Sequence, residues 1–170
     1  RTFTTHDGLL SNGVRTVHAF ADGLLWFGTN GGASRYDPAS FINFTVQDGL
    51  TDNPVYSITE DRRGALWFGI RHGGVCRYSD RGLTTFDMQD GLPSNLVRRI
   101  SCDRLGNLWF STQDHGACRY DGEMITTFSE EDGLASDIVE TTLEDLKGNI
   151  WFATMDGLSR YDGSGFTTFT

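Results

Sequence analysis

The chain has 170 residues, enough for one domain with a real core, and a formal charge of −9 with no basic run. A nucleic-acid groove or an anionic membrane surface needs clustered Lys and Arg, so neither is expected as a partner. No stretch approaches the roughly 20 apolar residues of a spanning helix, no signal peptide is evident, and the Arg at position 1 reads as a processed or excised chain.

The first element, RTFTT at 1–5, carries a Phe3 that returns as Phe44, Phe86, Phe128 and Phe169. Next comes DGL, starting at Asp7, Asp48, Asp90 and Asp132, at intervals of 41, 42 and 42 residues. Trp26, Trp67, Trp109 and Trp151 each follow the DGL aspartate by 19 residues. Arg-Tyr pairs follow at Arg35-Tyr36, Arg77-Tyr78, Arg119-Tyr120 and Arg160-Tyr161. A period of about 42 residues over the whole chain marks a repeat architecture.

The second unit parses into strand A near Val55–Thr59, strand B near Ala65–Ile70, strand C near Val75–Tyr78 and strand D near Leu83–Phe86. EDRRG at 60–64 is a tight A–B turn, repeated as DRLG at 103–106 and DLKG at 145–148. The first unit departs from this pattern, with Phe20 where the others have Asp61, Asp103 and Asp145. No segment keeps helical periodicity for long, so the chain reads as all-β.

Every B strand places Trp and Phe side by side, as in Leu66-Trp67-Phe68. Adjacent strand residues point to opposite faces, so both faces of this strand must be dry. A two-layer sandwich offers each strand one inner face, whereas a radial array of sheets offers two. The expected fold is therefore a β-propeller of four four-stranded blades, at approximately 6–45, 46–87, 88–129 and 130–170, with a strand-D remnant at 1–5.

DGLPSNLVRRISCDRLGNLWFST followed by GACRYDGEMITTF resembles the two-component regulator propeller repeat, and all four units share the likeness. The resemblance implies a bacterial sensor propeller held outside the cytoplasm, in the periplasm, ahead of a membrane helix and a histidine kinase. In gut-type hybrid sensors it implies a response to carbohydrate fragments. The chain itself has no kinase, membrane helix or linking sandwich domain, and it has fewer repeats than the usual seven blades. GNLWFST and GNIWFAT also look like the repeat of antibiotic-lactone lyase propellers, which implies His115 and Glu140 as nearest candidates for a base and a metal-binding acid.

Both chain ends carry the same strand-D sequence, and a closed four-blade ring has one slot for it. The expectation is an arc, completed by the remainder of a larger propeller or by a second copy in a homodimer, through exposed aromatic faces; the alternative is a lone four-blade ring with the N-terminal copy left over.

Features recurring in all four units read as framework: the Trp set, and Arg35, Arg77, Arg119 and Arg160, each expected to pair with an Asp of a DGL or a turn. Asn12, Asn53, Asn95 and Asp137 share one offset and read as side chains bonding nearby backbone. The variable positions are the candidate ligand contacts. Arg15, Tyr56, Arg98 and Glu140 lie just inside strand A, and Asn30, Arg71, His72, Gln113, Asp114, His115, Met155 and Asp156 at the B–C turns. D–A and B–C loops share one face of a propeller, so these residues are expected to ring a mouth suited to a small polar ligand or glycan.

Cys76 and Cys118 share one C-strand position with Ser34 and Ser159, a small-residue packing slot, and with Cys102 they suggest no disulfide framework. The acidic SEEDG at 129–133 reads as a solvated loop. No metal-ligand spacing, nucleophile elbow or phosphate loop is present, so no cofactor, metal or catalytic residue is expected. The reading is a non-catalytic recognition or scaffold module. The alternatives are a structural or engineered repeat protein that closes by self-assembly, and a metal-assisted lyase.

Overall fold

A computed structural model describes residues 2–20, 23–38 and 40–170. Each repeat becomes one antiparallel four-stranded sheet with strands in sequence order. The first sheet holds β1 (Val14–Ala19), β2 (Leu25–Thr29), β3 (Gly32–Asp37) and β4 (Ser40–Phe44), and the second β5 (Val55–Glu60), β6 (Leu66–Ile70), β7 (Gly74–Ser79) and β8 (Gly82–Phe86). The third holds β9 (Val97–Cys102), β10 (Leu108–Thr112), β11 (Ala117–Tyr120) and β12 (Ile125–Phe128), and the fourth β13 (Val139–Glu144), β14 (Ile150–Thr154), β15 (Gly157–Tyr161) and β16 (Phe166–Phe169). The strands expected for the second unit are met at each boundary to within one residue.

Between sheets the chain makes short 3₁₀ turns, at Thr5–Asp7, Val46–Asp48, Met88–Asp90 and Glu130–Asp132. These explain the DGL motif. Its Asp folds back to accept the backbone N–H three residues earlier, at 2.9 Å in Thr45–Asp48 and 3.0 Å in Asp87–Asp90. The glycine after it ends the turn in the left-handed region, at φ 104° in Gly91, where a Cβ would be strained. Asn12, Asn53, Asn95 and Asp137 accept the first backbone N–H of the same turns, at 2.8–3.3 Å.

The side-by-side rings are resolved by blade stacking. Trp67, Val75 and Phe86 of the second blade pack forward onto Val97, Ile100, Phe110 and Tyr120 of the third. Phe68, Ile58 and Cys76 of the second blade pack backward onto Trp26, Ala33 and Phe44 of the first. The third and fourth blades repeat the arrangement through Trp109, Phe128, Phe152 and Tyr161. The core is thus three inter-blade seams, each fed by one Trp. Within a blade the indole stacks on the last strand, as Trp109 does on Phe128 at 5.6 Å and 24°.

Three of the four tryptophans also have a polar anchor. The indole N–H of Trp67, Trp109 and Trp151 donates to Asp61, Asp103 and Asp145 of the A–B turn at 2.8–2.9 Å. In the first unit Phe20 takes that position and meets Trp26 edge-on, with ring centroids 6.3 Å apart. Burial disfavours the charge on Asp103, but the Trp109 indole, the Asn107 amide and two backbone N–H groups more than offset it, and its pKa lies below the ordinary 3.8. The sign follows: the contribution of Asp103 to stability is complete above 3.8 and drains as pH falls through the lowered native value. Urea midpoints measured from about pH 5 down to about pH 2 should fall, and the fall should be shallower in Asp103→Asn.

Two expectations need correction. Residues 2–4 join no sheet and Thr5 begins a 3₁₀ turn, so the described part of the strand-D remnant is not a seventeenth strand; Arg1 lies outside the described residues. A D strand needs a C strand beside it, and the chain has none to offer there. Phe3 nonetheless keeps the packing role, lying 5.0 Å from Tyr36 as Phe44 lies 5.3 Å from Tyr78 and Phe128 5.2 Å from Tyr161. The second correction concerns the Arg-Tyr arginines. Arg77 pairs with the turn residue Asp61 as expected, at 3.9 Å, but the Nε atoms of Arg35, Arg119 and Arg160 are buried without a hydrogen-bond partner. The DGL aspartates are spent on their own turns and the A–B aspartates on indoles. Arg35 and Arg77 lie over Trp26 and Trp67 at 6.0 and 5.7 Å.

The four blades form an arc. Inner strands β1, β5, β9 and β13 pack in succession, with no comparable contact from β13 back to β1 among the described residues. Val17 of the first blade is 60% exposed where its counterparts Ile58 and Ile100 are 4% and 3%. At the other end Leu158 is 46% exposed where Ala117 is 0%. Both outer faces are therefore apolar and open.

Candidate functional site

Every inner strand contains one β-bulge. Pairing jumps between Val14 and Thr16, between Val55 and Ser57, between Val97 and Arg99, and between Val139 and Thr141. The residues left over are Arg15, Tyr56, Arg98 and Glu140, the four variable strand-A positions. A bulge leaves one residue without a cross-strand partner and re-aims its side chain, a device common beside binding sites. The framework thus frees the residue that changes from blade to blade.

Backbone hydrogen bonds tie the B–C turns to the loops entering strand A. Asn30 N–H donates to Gly13, Arg71 to Pro54, Gln113 to Leu96 and Met155 to Ile138, all at 2.9–3.2 Å. The two loop sets therefore lie at one end of the blades. There the guanidinium of Arg15 bonds Asn30 at 2.7 Å and stands 5.2 Å from the Tyr56 ring centroid, while Arg71 approaches the same ring at 5.8 Å. Across the third seam Arg98 pairs with Glu140 at 2.8 Å, both sides roughly one-third exposed (36% and 39%). His115 Nδ1 lies 3.2 Å from the Asp114 carboxylate.

The strand-A and B–C residues thus form two groups, Asn30–Arg15–Tyr56–Arg71 and Arg98–Glu140, with Asp114–His115 on the adjoining turn. His72, Gln113 and Asp156 stand on the same turns with no side-chain hydrogen bond among the described residues. No hydrogen bond or ion pair joins His115 to Glu140 among the described residues; the Glu140 carboxylate is held by Arg98. The three cysteines are free thiols, with Cys76 and Cys118 buried on strand C and their pKa values pushed up by burial. This end of the blades offers guanidinium, carboxylate, phenol and imidazole groups in a polar, half-exposed setting, chemistry suited to hydrogen bonding and ring stacking.

Sequence reasoning missed a concavity elsewhere. A cleft of about 810 Å³ opens at the opposite end of the second and third blades, between their A–B and C–D turns. Its signal, arginines on three separated segments, was spread too far along the chain to show as a run.

Residues 49–72 and 91–114 match the two-component regulator propeller family. Among solved structures, the chain is similar to the extracellular domain of what is described as a hybrid two-component system from B. thetaiotaomicron. That match has a TM-score of 0.83 at 29% identity, over 92% of this chain and 23% of that one. A second extracellular domain from the same bacterium gives 0.80 at 21% identity, over 95% and 25%. Virginiamycin B lyase from Staphylococcus aureus gives 0.75 at 22% identity, over 92% and 55%, a likeness of fold alone. The chain spans about a quarter of the length of the two extracellular domains. No curated protein matches it.

Proposed function

We propose that this chain, built of two-component regulator propeller repeats, is a non-catalytic recognition segment of an extracytoplasmic sensor. It takes a small polar ligand, a carbohydrate fragment, at the bulge-lined mouth. The observation that carries the reading is the one bulge per blade, whose freed side chain changes from each blade to the next while the Trp, Arg-Tyr and DGL frame repeats: Arg15, Tyr56, Arg98, Glu140. The two open faces are seats for further blades, supplied by the remainder of a larger ring or by a second copy.

The lyase alternative is weaker on local grounds. A metal-binding acid must be free to bind, and Glu140 is committed to Arg98 at 2.8 Å. The first extracellular domain is also more similar in identity, at 29% against 22% for the lyase.

Thermal unfolding against a panel of neutral and acidic oligosaccharides tests the proposal. At least one should raise the melting temperature by several degrees, and the rise should vanish in Arg98→Ala and His115→Ala while their unliganded melting temperatures stay near that of the parent. No response across the panel would favour a structural role, and a response surviving both substitutions would move the site away from the mouth.

A further inference from the structure

The cleft at the far end of the second and third blades holds an unusual concentration of positive charge, most of it unpaired; only Arg77 has an ion pair, to Asp61 at 3.9 Å. Arg62, Arg63, Arg77 and Arg81 line it, in a chain whose formal charge is −9. No hydrogen bond or ion pair holds the guanidinium of Arg62, Arg63 or Arg81 among the described residues. The carboxylates nearby are largely spent. Asp61 accepts the Trp67 indole at 2.8 Å and the backbone N–H of Arg63 and Ala65 at 2.8 and 3.0 Å. Asp121 accepts the backbone N–H of Glu123 and Met124 at 2.9 and 2.8 Å. Asp80 is the remaining acid, exposed at the cleft edge.

The internal repeat supplies a control for Arg62. One unit later Arg104 occupies the same turn position, and there the guanidinium is satisfied. Its Nε lies 3.1 Å from the Glu144 carboxylate, and its terminal nitrogens donate to the carbonyls of Asp145 and Leu146. At the seam that Arg62 faces, the counterpart of Glu144 is Cys102. The acid is missing, and Arg62 lies over Gly106 with its head group free; a Cβ built on that glycine would stand 3.1 Å from its Cδ. The floor between the arginines is aromatic: Trp67, Phe86 and Tyr120, with ring centroids 5.3–5.6 Å apart.

We propose that this cleft is a second binding site, separate from the mouth, for a small ligand bearing two or more oxyanion groups on a framework flat enough to lie on the Phe86–Tyr120 surface. Guanidinium groups bind carboxylate, sulfate and phosphate through paired N–H donors, and two or three unpaired arginines select for more than one such group. The cleft volume of about 810 Å³ is within the range of small-molecule sites.

Isothermal titration at low ionic strength, with pyrophosphate, citrate, a disulfated disaccharide and its neutral parent, tests the proposal. Saturable binding is expected for at least one oxyanion and not for the neutral sugar, and the tightest of the three identifies the group the cleft prefers. Arg62→Gln combined with Arg81→Gln should weaken that binding about tenfold or more. Cys102→Glu should weaken it severalfold without touching any arginine, by giving Arg62 the partner that Arg104 has. Arg98→Gln, at the mouth, should leave it unchanged. Absence of saturable binding by all three anions at millimolar concentration overturns the proposal, as does binding that both cleft variants leave intact. Because no mouth residue takes part, either result is independent of the glycan experiment.

Discussion

Trp109→Ala is expected to cost about 3–5 kcal/mol in urea unfolding, as for large aromatic truncations in a packed core. Trp109 stacks on Phe128, meets Phe152 edge-on at 5.6 Å and approaches Tyr161 at 6.2 Å, so its removal opens the third seam from both sides. It would also strip Asp103 of its indole donor, leaving a mostly buried carboxylate with fewer partners. Trp151→Ala is the internal control. Trp151 has the same stacking partner type, Phe169 at 5.6 Å, and the same carboxylate anchor, but no blade follows it. Its loss should cost roughly half as much. Equal costs would mean that the indole acts within its own sheet, and the seam account of the core would fail.

Gly116→Ala should be the second severe change. Gly116 opens strand C at φ 72°, and a Cβ there would sit 2.0 Å from the carbonyl oxygen of Phe128. Left-handed backbone costs an ordinary residue about 1–2 kcal/mol, and a backbone clash adds to that because strand D cannot retreat without leaving the sheet. A loss of at least about 2 kcal/mol in chemical denaturation is expected. Gly163 has φ 96° with nothing within 4 Å of a Cβ, so Gly163→Ala isolates the conformational part and should cost about 1 kcal/mol. The difference between the two variants measures how tightly strands C and D are held.

The fold was legible because its signal is redundant. Four copies of a Trp-Phe pair, each demanding two dry faces, leave few architectures, and the strand boundaries follow from glycines that must turn. The candidate mouth was legible by loop position, since antiparallel connectivity alone puts alternate turns at opposite ends. The bulges that free the variable side chains there were not. A bulge is defined by a two-against-one match with the neighbouring strand, and VYSITE looks the same with or without one.

The carboxylate pairing expected of the Arg-Tyr arginines failed in three of the four units, for a different reason. A sequence shows that an Asp is available but not that another donor, closer along the chain, has already taken it. The DGL aspartate is consumed three residues away by its own turn, and Asp103 six residues away by Trp109. The remnant strand failed because a strand is a property of a pair. The arginine cleft was invisible for the same non-local reason: Arg62, Arg77 and Arg81 become neighbours only after the hairpins close.

Because each seam is assembled from the front of one sheet and the back of the next, no single unit possesses an interior of its own. Dismantling should therefore begin at the two ends and run inward like an opening zipper. The amides of the second and third sheets would then exchange with solvent most slowly, and lengthening the row would slow them further, with no change to any residue inside them.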